Sequence, residues 1–312
     1  MRTRIRISQA GRPADSAVHP MRRPPFDIYS AIMLANYHTH TSFCDGTASV
    51  RDMAQAAFLA GYKILGFSAH APVPLPSPGN LAPERVAPYV RAVRESAEEF
   101  SGRMEILAGL ELEWVPGIGI PPADGYASVP LDYSIGSVHY VKSPSGKFFT
   151  VDCPEDEFDR AMRGGYGGNG SRFYRDYWGE MIGLIRSGGF DILGHLDIVK
   201  KNNQGARWFD EFSPDYLRTA FEAVEALAET GMVVEINTGG MARGKLLEPY
   251  PSLPILKEMK RRRVSVCIGA DAHALAHLDK EWRDIGVEWA REAGYRELLV
   301  FSHGEWRAGP LE

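Results

Sequence analysis

From residue 34 onward the chain alternates short, nearly continuous apolar runs with longer amphipathic stretches. This alternation restricts the fold more than any other feature. The runs cover 34–37, 63–68, 105–110, 132–138, 190–194, 232–237, 264–270 and 297–301. Stretches such as Ile64-Leu65-Gly66-Phe67 and Val266-Cys267-Ile268-Gly269 keep no polar face for water. They predict strands covered on both sides, as in a parallel sheet. Between them, Ser49-Val50-Arg51-Asp52 has the form of a capping box, and Gly61 is placed to end the helix it opens. Residues 83–101, 173–187, 213–230, 253–263 and 279–293 read as further helices. Alternating β and α units predict a doubly wound sheet or a barrel. No repeat or linker divides 34–312, which is expected to be one domain. The Pro-rich stretch 71–88 and the Gly-rich stretch 164–170 are expected as long loops, the second as a mobile lid. Residues 1–33 read as an extension ahead of the domain, either disordered or non-native with Met33 as the true start. They carry arginines including Arg2, Arg4, Arg12, Arg22 and Arg23 against Asp15 and Asp27, and prolines at 13, 20, 24 and 25.

Composition narrows the partners. The formal net charge of −5 makes the chain a poor general binder of polyanions, so no long nucleic acid is expected. No apolar run is long enough to cross a bilayer, so no membrane partner is expected. Cys44, Cys153 and Cys267 are too few and too scattered for a disulfide framework or a CxxC zinc cluster, which suits a reducing cytoplasm. Cys44 and Cys267 read as small apolar packing.

The histidines carry the chemical signal. His38 and His40 follow the first strand, His70 ends the second, and Glu111 ends the third. His139 follows the fourth, His195 the fifth, and Asp271 with His273 the seventh. In a parallel α/β barrel these C-terminal strand ends meet on one face, where active sites are built. Residues two apart on a strand point the same way, so His38 with His40, and Asp271 with His273, can each reach one cation. Asp45 sits in a Cys44-Asp45-Gly46 turn that can swing a carboxylate back over the strand end. Unpaired buried carboxylates are costly, so such a cluster calls for cations. It holds more ligands than one ion takes, and mixed nitrogen and oxygen donors suit zinc, manganese or iron rather than calcium.

The ordered series His38-Thr39-His40, Cys44-Asp45-Gly46, Ser68-Ala69-His70, Gly109-Leu110-Glu111, Gly136-Ser137-Val138-His139-Tyr140, Gly194-His195-Leu196-Asp197 and Asp271-Ala272-His273 resembles the polymerase-and-histidinol-phosphatase (PHP) superfamily. Glu111-Leu112-Glu113-Trp114, His195-Leu196-Asp197-Ile198-Val199-Lys200-Lys201, Glu235-Ile236-Asn237-Thr238 and Tyr250-Pro251-Ser252 look most like its histidinol-phosphatase branch. The resemblance implies a distorted (β/α)7 TIM-like barrel, so one of the eight candidate strands lies outside it. It further implies two to three divalent transition-metal ions. His38, His40, Glu111 and Asp271 would hold the first. Glu111 would bridge to a second on His139 and His195, and Asp45, His70 and His273 would hold the third. Glu113, on the same strand face as Glu111, could compete for the bridging place. Three departures stand out: the glycine run 164–170 is unusually loose for its place, Ala270 precedes Asp271 where a Ser or Thr is expected, and 274–278 lacks the usual polar pattern.

The expected activity is hydrolysis of a small phosphate monoester, histidinol phosphate, by a hydroxide bridging the ions, with Asp271, His273 and His195 in catalytic roles. A nucleotide or another small phosphate ester is the alternative. Substrate contacts are expected from Arg175, Lys200, Arg243 and Tyr174, since phosphate favours a forked guanidinium and Tyr174 lies on an aromatic-rich segment.

Overall fold

The computed structural model describes residues 34–121 and 129–311. The expectation for 1–33 lies outside them. The strands are β1 (Ala35–Asn36), β2 (Ile64–His70), β3 (Glu105–Glu113), β4 (Tyr133–Ser137), β5 (Tyr140–Lys142), β6 (Phe148–Thr150), β7 (Ile192–Leu193), β8 (Val233–Asn237), β9 (Ser265–Gly269), β10 (Glu297–Ser302) and β11 (Glu305–Pro310). Seven of them form one parallel sheet in the order β1-β2-β3-β4-β7-β8-β9. The two edges meet just beyond β1 and β9. There Thr39 and Ala272 form a parallel bridge, with His40 N donating to Ala272 O at 2.8 Å and Ala272 N to His38 O at 3.1 Å. Asn36 Oδ1 adds an acceptor for Ala270 N at 2.7 Å. The sheet is therefore a nearly closed (β/α)7 barrel.

The eighth expected strand pairs antiparallel with β11 in a hairpin outside the barrel. Its alternating burial along Glu297–Ser302 marks a ribbon with one covered face. Tyr37 ties this hairpin to the barrel: its hydroxyl donates to Phe301 O at 3.1 Å and accepts from Phe301 N at 2.8 Å. Tyr133 packs across the interior because Gly66 and Gly109 leave space. A Cβ at those positions would lie 2.4 and 2.6 Å from its ring or hydroxyl.

The helices are α1 (Val50–Leu59), α2 (Pro83–Glu99), α3 (Glu155–Tyr166), α4 (Gly170–Ser187), α5 (Pro214–Ala228), α6 (Gly239–Ala242), α7 (Leu253–Arg261) and α8 (Lys280–Glu292). Ser49 caps α1 through Asp52 N at 3.1 Å, and Gly61 takes the positive φ of 88° beyond its end. The loop expected at 71–88 is shorter: 71–82 is loop, while 83–88 already belongs to α2, with Pro83 in its first turn.

The mobile lid expected at 164–170 is not there. Gly164 and Gly165 belong to α3, Gly167 caps it, and Gly170 opens α4. A Cβ at Gly170 would lie 1.9 Å from the Trp208 carbonyl oxygen, so this glycine allows a close backbone contact. The run is a packed corner between two helices. Among the described residues no helix is long and apolar enough to cross a membrane.

Candidate metal centre

Barrel closure creates the first half of the site. Because Thr39 pairs with Ala272, the residues flanking each of them share one face of the ladder. His38, His40, Asp271 and His273 are thereby brought together from opposite ends of the chain. Asp271 occupies the left-handed region with φ of 46°, a conformation that Asp tolerates better than most residues. Its Cβ has room because Gly239 has none: a Cβ there would lie 2.7 Å away.

Glu111 stands at the middle, buried on β3. Its Oε2 lies 3.2 Å from His38 Nε2 and 3.4 Å from His40 Nε2, and its Oε1 lies 3.1 Å from His195 Nε2 and 3.8 Å from His139 Nε2. Asp271 Oδ1 closes the first cluster at 3.3 Å from His40 Nε2 and 3.6 Å from His38 Nε2. Asp45 Oδ2 gathers another, at 3.2 Å from His273 Nε2 and 3.6 Å from His70 Nε2. Among the described residues four groups bring ligand atoms within 4.8 Å of one another: His38-His40-Glu111, Glu111-His139-His195, His40-Asp45-His70-His273 and His70-Glu113-His139. All nine residues expected from the sequence as metal ligands converge on one rim, with Glu111 shared between groups.

Three buried atoms in the first cluster, His38 Nε2, His40 Nε2 and Glu111 Oε2, have no hydrogen-bond partner. Two ring nitrogens and a carboxylate oxygen, within 4.8 Å of one another and left unbonded in the interior, fit the donor set of a divalent transition metal. The residues present thus fit the ions that the sequence implies.

The tautomers are set from behind. His38 Nδ1 donates to Glu235 at 2.9 and 3.0 Å, which leaves Nε2 free to ligate. The same carboxylate accepts from His195 N at 2.8 Å and from Asn237 Nδ2 at 2.7 Å. Glu113 takes the Nδ1–H of His139 at 2.8 Å and lies 2.9 Å from His70 Nδ1. It therefore stands behind His139, while Glu111 lies at the centre of the cluster and in two of the four groups. Arg243 binds Asp271 from outside, donating Nη2 to Oδ2 at 2.6 Å and Nη1 to the carbonyl oxygen at 2.9 Å.

The electrostatics match. Burial works against the charged form of Glu111, but His38, His70 and His139 outweigh it and hold the carboxyl well below its usual range. Asp271 is likewise depressed, with burial overcome by Arg243 and His38. His40 is lowered to about 3 by burial and by the neighbouring His273 and His70, which keeps it neutral. Burial would lower His38 as well, but Glu235 and Glu111 raise it well above normal.

Glu235 is the residue that sequence reasoning left without a role. The signal was a carboxylate inside the apolar run Val233-Val234-Glu235-Ile236, where burial is costly without partners. Gly269 supplies its space, since a Cβ there would lie 1.9 Å from Glu235 Oε2. A Gly269→Ala variant is expected to push Glu235 off His38 and weaken metal affinity about 10–100-fold, read by metal titration against a competing chelator. Unchanged affinity would remove Glu235 from its orienting role.

Three expected substrate contacts are not brought to this rim. Tyr174 donates to Asp215 at 2.7 Å and Arg175 pairs with the same carboxylate on the helical layer. Lys200 is buried and fully engaged, with Asp197 at 3.1 Å, Glu248 at 2.8 Å and Pro249 O at 3.1 Å. Each cation has been taken by a carboxylate from elsewhere in the chain. Of the expected set, Arg243 alone reaches the site.

Fold and site together define a parallel β/α barrel with a histidine–carboxylate metal centre at its C-terminal rim. The PHP domain family matches residues 36–239, and the chain belongs to that family. A relative from Deinococcus radiodurans named "Probable histidinol-phosphatase" is 32% identical over 275 residues, covering 86% of this chain and 97% of that protein. A Bacillus subtilis histidinol-phosphatase is 24% identical over 251 residues, covering 76% of this chain and 92% of the relative. The crystal structure of a Lactococcus lactis histidinol phosphate phosphatase, complexed with zinc, L-histidinol and phosphate, shares the fold. Its TM-score is 0.64 at 19% identity, over 88% of this chain and 99% of that one.

Proposed function

We propose that this chain hydrolyses histidinol phosphate to histidinol and phosphate. It would use two to three divalent ions, zinc, manganese or iron, held by His38, His40, Asp45, His70, Glu111, His139, His195, Asp271 and His273. The observation that carries the reading is the unbonded, buried convergence of His38 Nε2, His40 Nε2 and Glu111 Oε2, at 3.2 and 3.4 Å from the carboxylate oxygen. The relatives' names supply the substrate.

Divalent cations bound there would polarise phosphoryl oxygens and lower the pKa of coordinated water toward neutrality. The chain's own residues make that possible in separable ways. Glu235 and Glu113 fix the ring orientations of His38 and His139 through Nδ1. Arg243 pins Asp271 and places a guanidinium, 19% exposed, beside His273 for a phosphoryl oxygen. The buried carboxylates are held ionised, so their charge favours a cation among the imidazoles, a metal ion when bound and ring protons when it is absent. His195 Nε2 lies 3.1 Å from Glu111 Oε1 and His273 Nε2 lies 3.2 Å from Asp45 Oδ2, and these two histidines would act with Asp271 on the substrate.

A panel comparing histidinol phosphate with nucleoside monophosphates tests the assignment. Histidinol phosphate is expected to win in kcat/KM by at least about 100-fold, because polar groups built for one substrate are left unpaired by another. A nucleotide preference of that size would move the chain to a different branch of the same chemistry.

A further inference from the structure

The hairpin of β5 and β6 rises from the end of β4 and delivers one carboxylate that the metal centre does not use. Val151 N donates to His139 O at 2.8 Å. On the other side Asn202 Nδ2 donates to Val151 O at 3.1 Å and to Cys153 O at 3.0 Å. Asp152 is therefore held between the segment that follows β4 and the segment that follows β7, at the rim itself. Its side chain is 32% exposed, and among the described residues its ion pair is with Lys201 Nζ at 3.5 Å, the outer limit of a hydrogen bond. The carboxylate interacts electrostatically with His70, His139 and His195, and also with Arg243. Those residues sit at the ends of β2, β4 and β7 and just beyond β8, so the Asp152 carboxylate, anchored through its neighbours to His139 and Asn202, lies beside the mouth. It belongs to none of the metal-capable groups among the described residues.

A carboxylate in this place is a liability for a site that must attract a phosphate dianion. At about 4–6 Å, and at the effective dielectric of a protein surface, like charges repel by a few kcal/mol, about the same energy with which opposite charges attract. The arrangement becomes favourable when the substrate brings its own cation next to its phosphate. We propose that Asp152 is a specificity residue that binds the protonated amine of an amino-alcohol phosphate, so that the rim reads a positive group beside the ester. This deepens the histidinol-phosphate reading and rests on it. Phosphate esters with no cation meet only the repulsion.

The test compares two esters on the metal-loaded enzyme: histidinol phosphate, which carries the amine, and p-nitrophenyl phosphate, which carries none. For Asp152→Asn, kcat/KM on histidinol phosphate is expected to fall about 10- to 100-fold, mostly through KM, as for a lost hydrogen bond to a charged group. On p-nitrophenyl phosphate it should hold or rise, with metal content unchanged. A wild-type preference for histidinol phosphate that survives Asp152→Asn overturns this assignment alone. Equal losses on both esters, reproduced by Lys201→Gln, also overturn it, because Asp152 would then act by holding Lys201. A wild-type enzyme with no preference for the amine-bearing ester overturns both this assignment and the histidinol-phosphate reading.

Discussion

A Glu111→Gln variant is expected to remain folded, to lose bound metal, and to fall at least about 1000-fold in kcat/KM, since metal catalysis is worth several kcal/mol of transition-state stabilisation. The geometry explains why one residue should matter so much. Its two oxygens reach His38, His40, His70 and His195 within 3.4 Å and His139 at 3.8 Å. Among the described residues no other carboxylate lies within 4 Å of so many of these imidazoles. The amide keeps the shape but removes the charge and turns one acceptor into a donor, which aims hydrogens at nitrogen lone pairs. The fold should survive because the barrel is closed elsewhere, by the Thr39–Ala272 bridge and the Asn36 side chain. Circular dichroism, metal analysis and kinetics on the same preparation separate the two effects. A variant that keeps its metal and most of its turnover would remove Glu111 from the bridging place.

The rim was readable in the sequence because two simple periodicities coincide there. Strand alternation puts residues two apart on one face, and parallel barrels gather strand ends on one side, so each His and carboxylate after an apolar run could be placed before its neighbours were known. What was not readable depended on partners distant in sequence. Arg175 and Lys200 have the residue type of a phosphate contact, but Asp215 and Glu248, at sequence separations of 40 and 48, occupy them. No local pattern announces such a pairing. The glycine run looked loose because glycine signals both freedom and close approach, and only the Trp208 backbone decides between them. The strand at Glu297–Ser302 shared the apolar character of the barrel strands, but its partner is the next segment, β11, and not β9.

Stripping the metal is expected to make stability strongly pH-dependent, with a maximum near pH 6.5, and the sign follows from two histidines. Burial lowers His139, but Glu113 and Glu111 outweigh it and push it up to about 9. A histidine whose pKa is raised on folding contributes stability that is fully present below its unfolded value of about 6.5 and is lost as pH rises through its folded value. Between pH 6.5 and 9 the metal-free protein should therefore weaken by up to about 3 kcal/mol from this residue, and His38 and His70 act in the same direction. His40 works oppositely. It is held neutral, with its pKa lowered to about 3, so folding is opposed increasingly as pH falls below about 6.5 and the unfolded chain takes up the proton. Divalent metal replaces the protons on the alkaline side, since ligation requires unprotonated imidazoles and binding releases protons. The loaded protein should hold its stability to pH 9. At metal concentrations about 1000-fold above Kd it should gain about 4 kcal/mol, or about 10 °C in Tm, over the stripped form. Thermal melts from pH 5 to 9, with a chelator and with zinc or manganese, measure both curves. A stripped protein as stable at pH 9 as at pH 6.5 would mean that the carboxylates of the rim do not hold protons in place of cations, and the electrostatic basis for a metal centre would be lost.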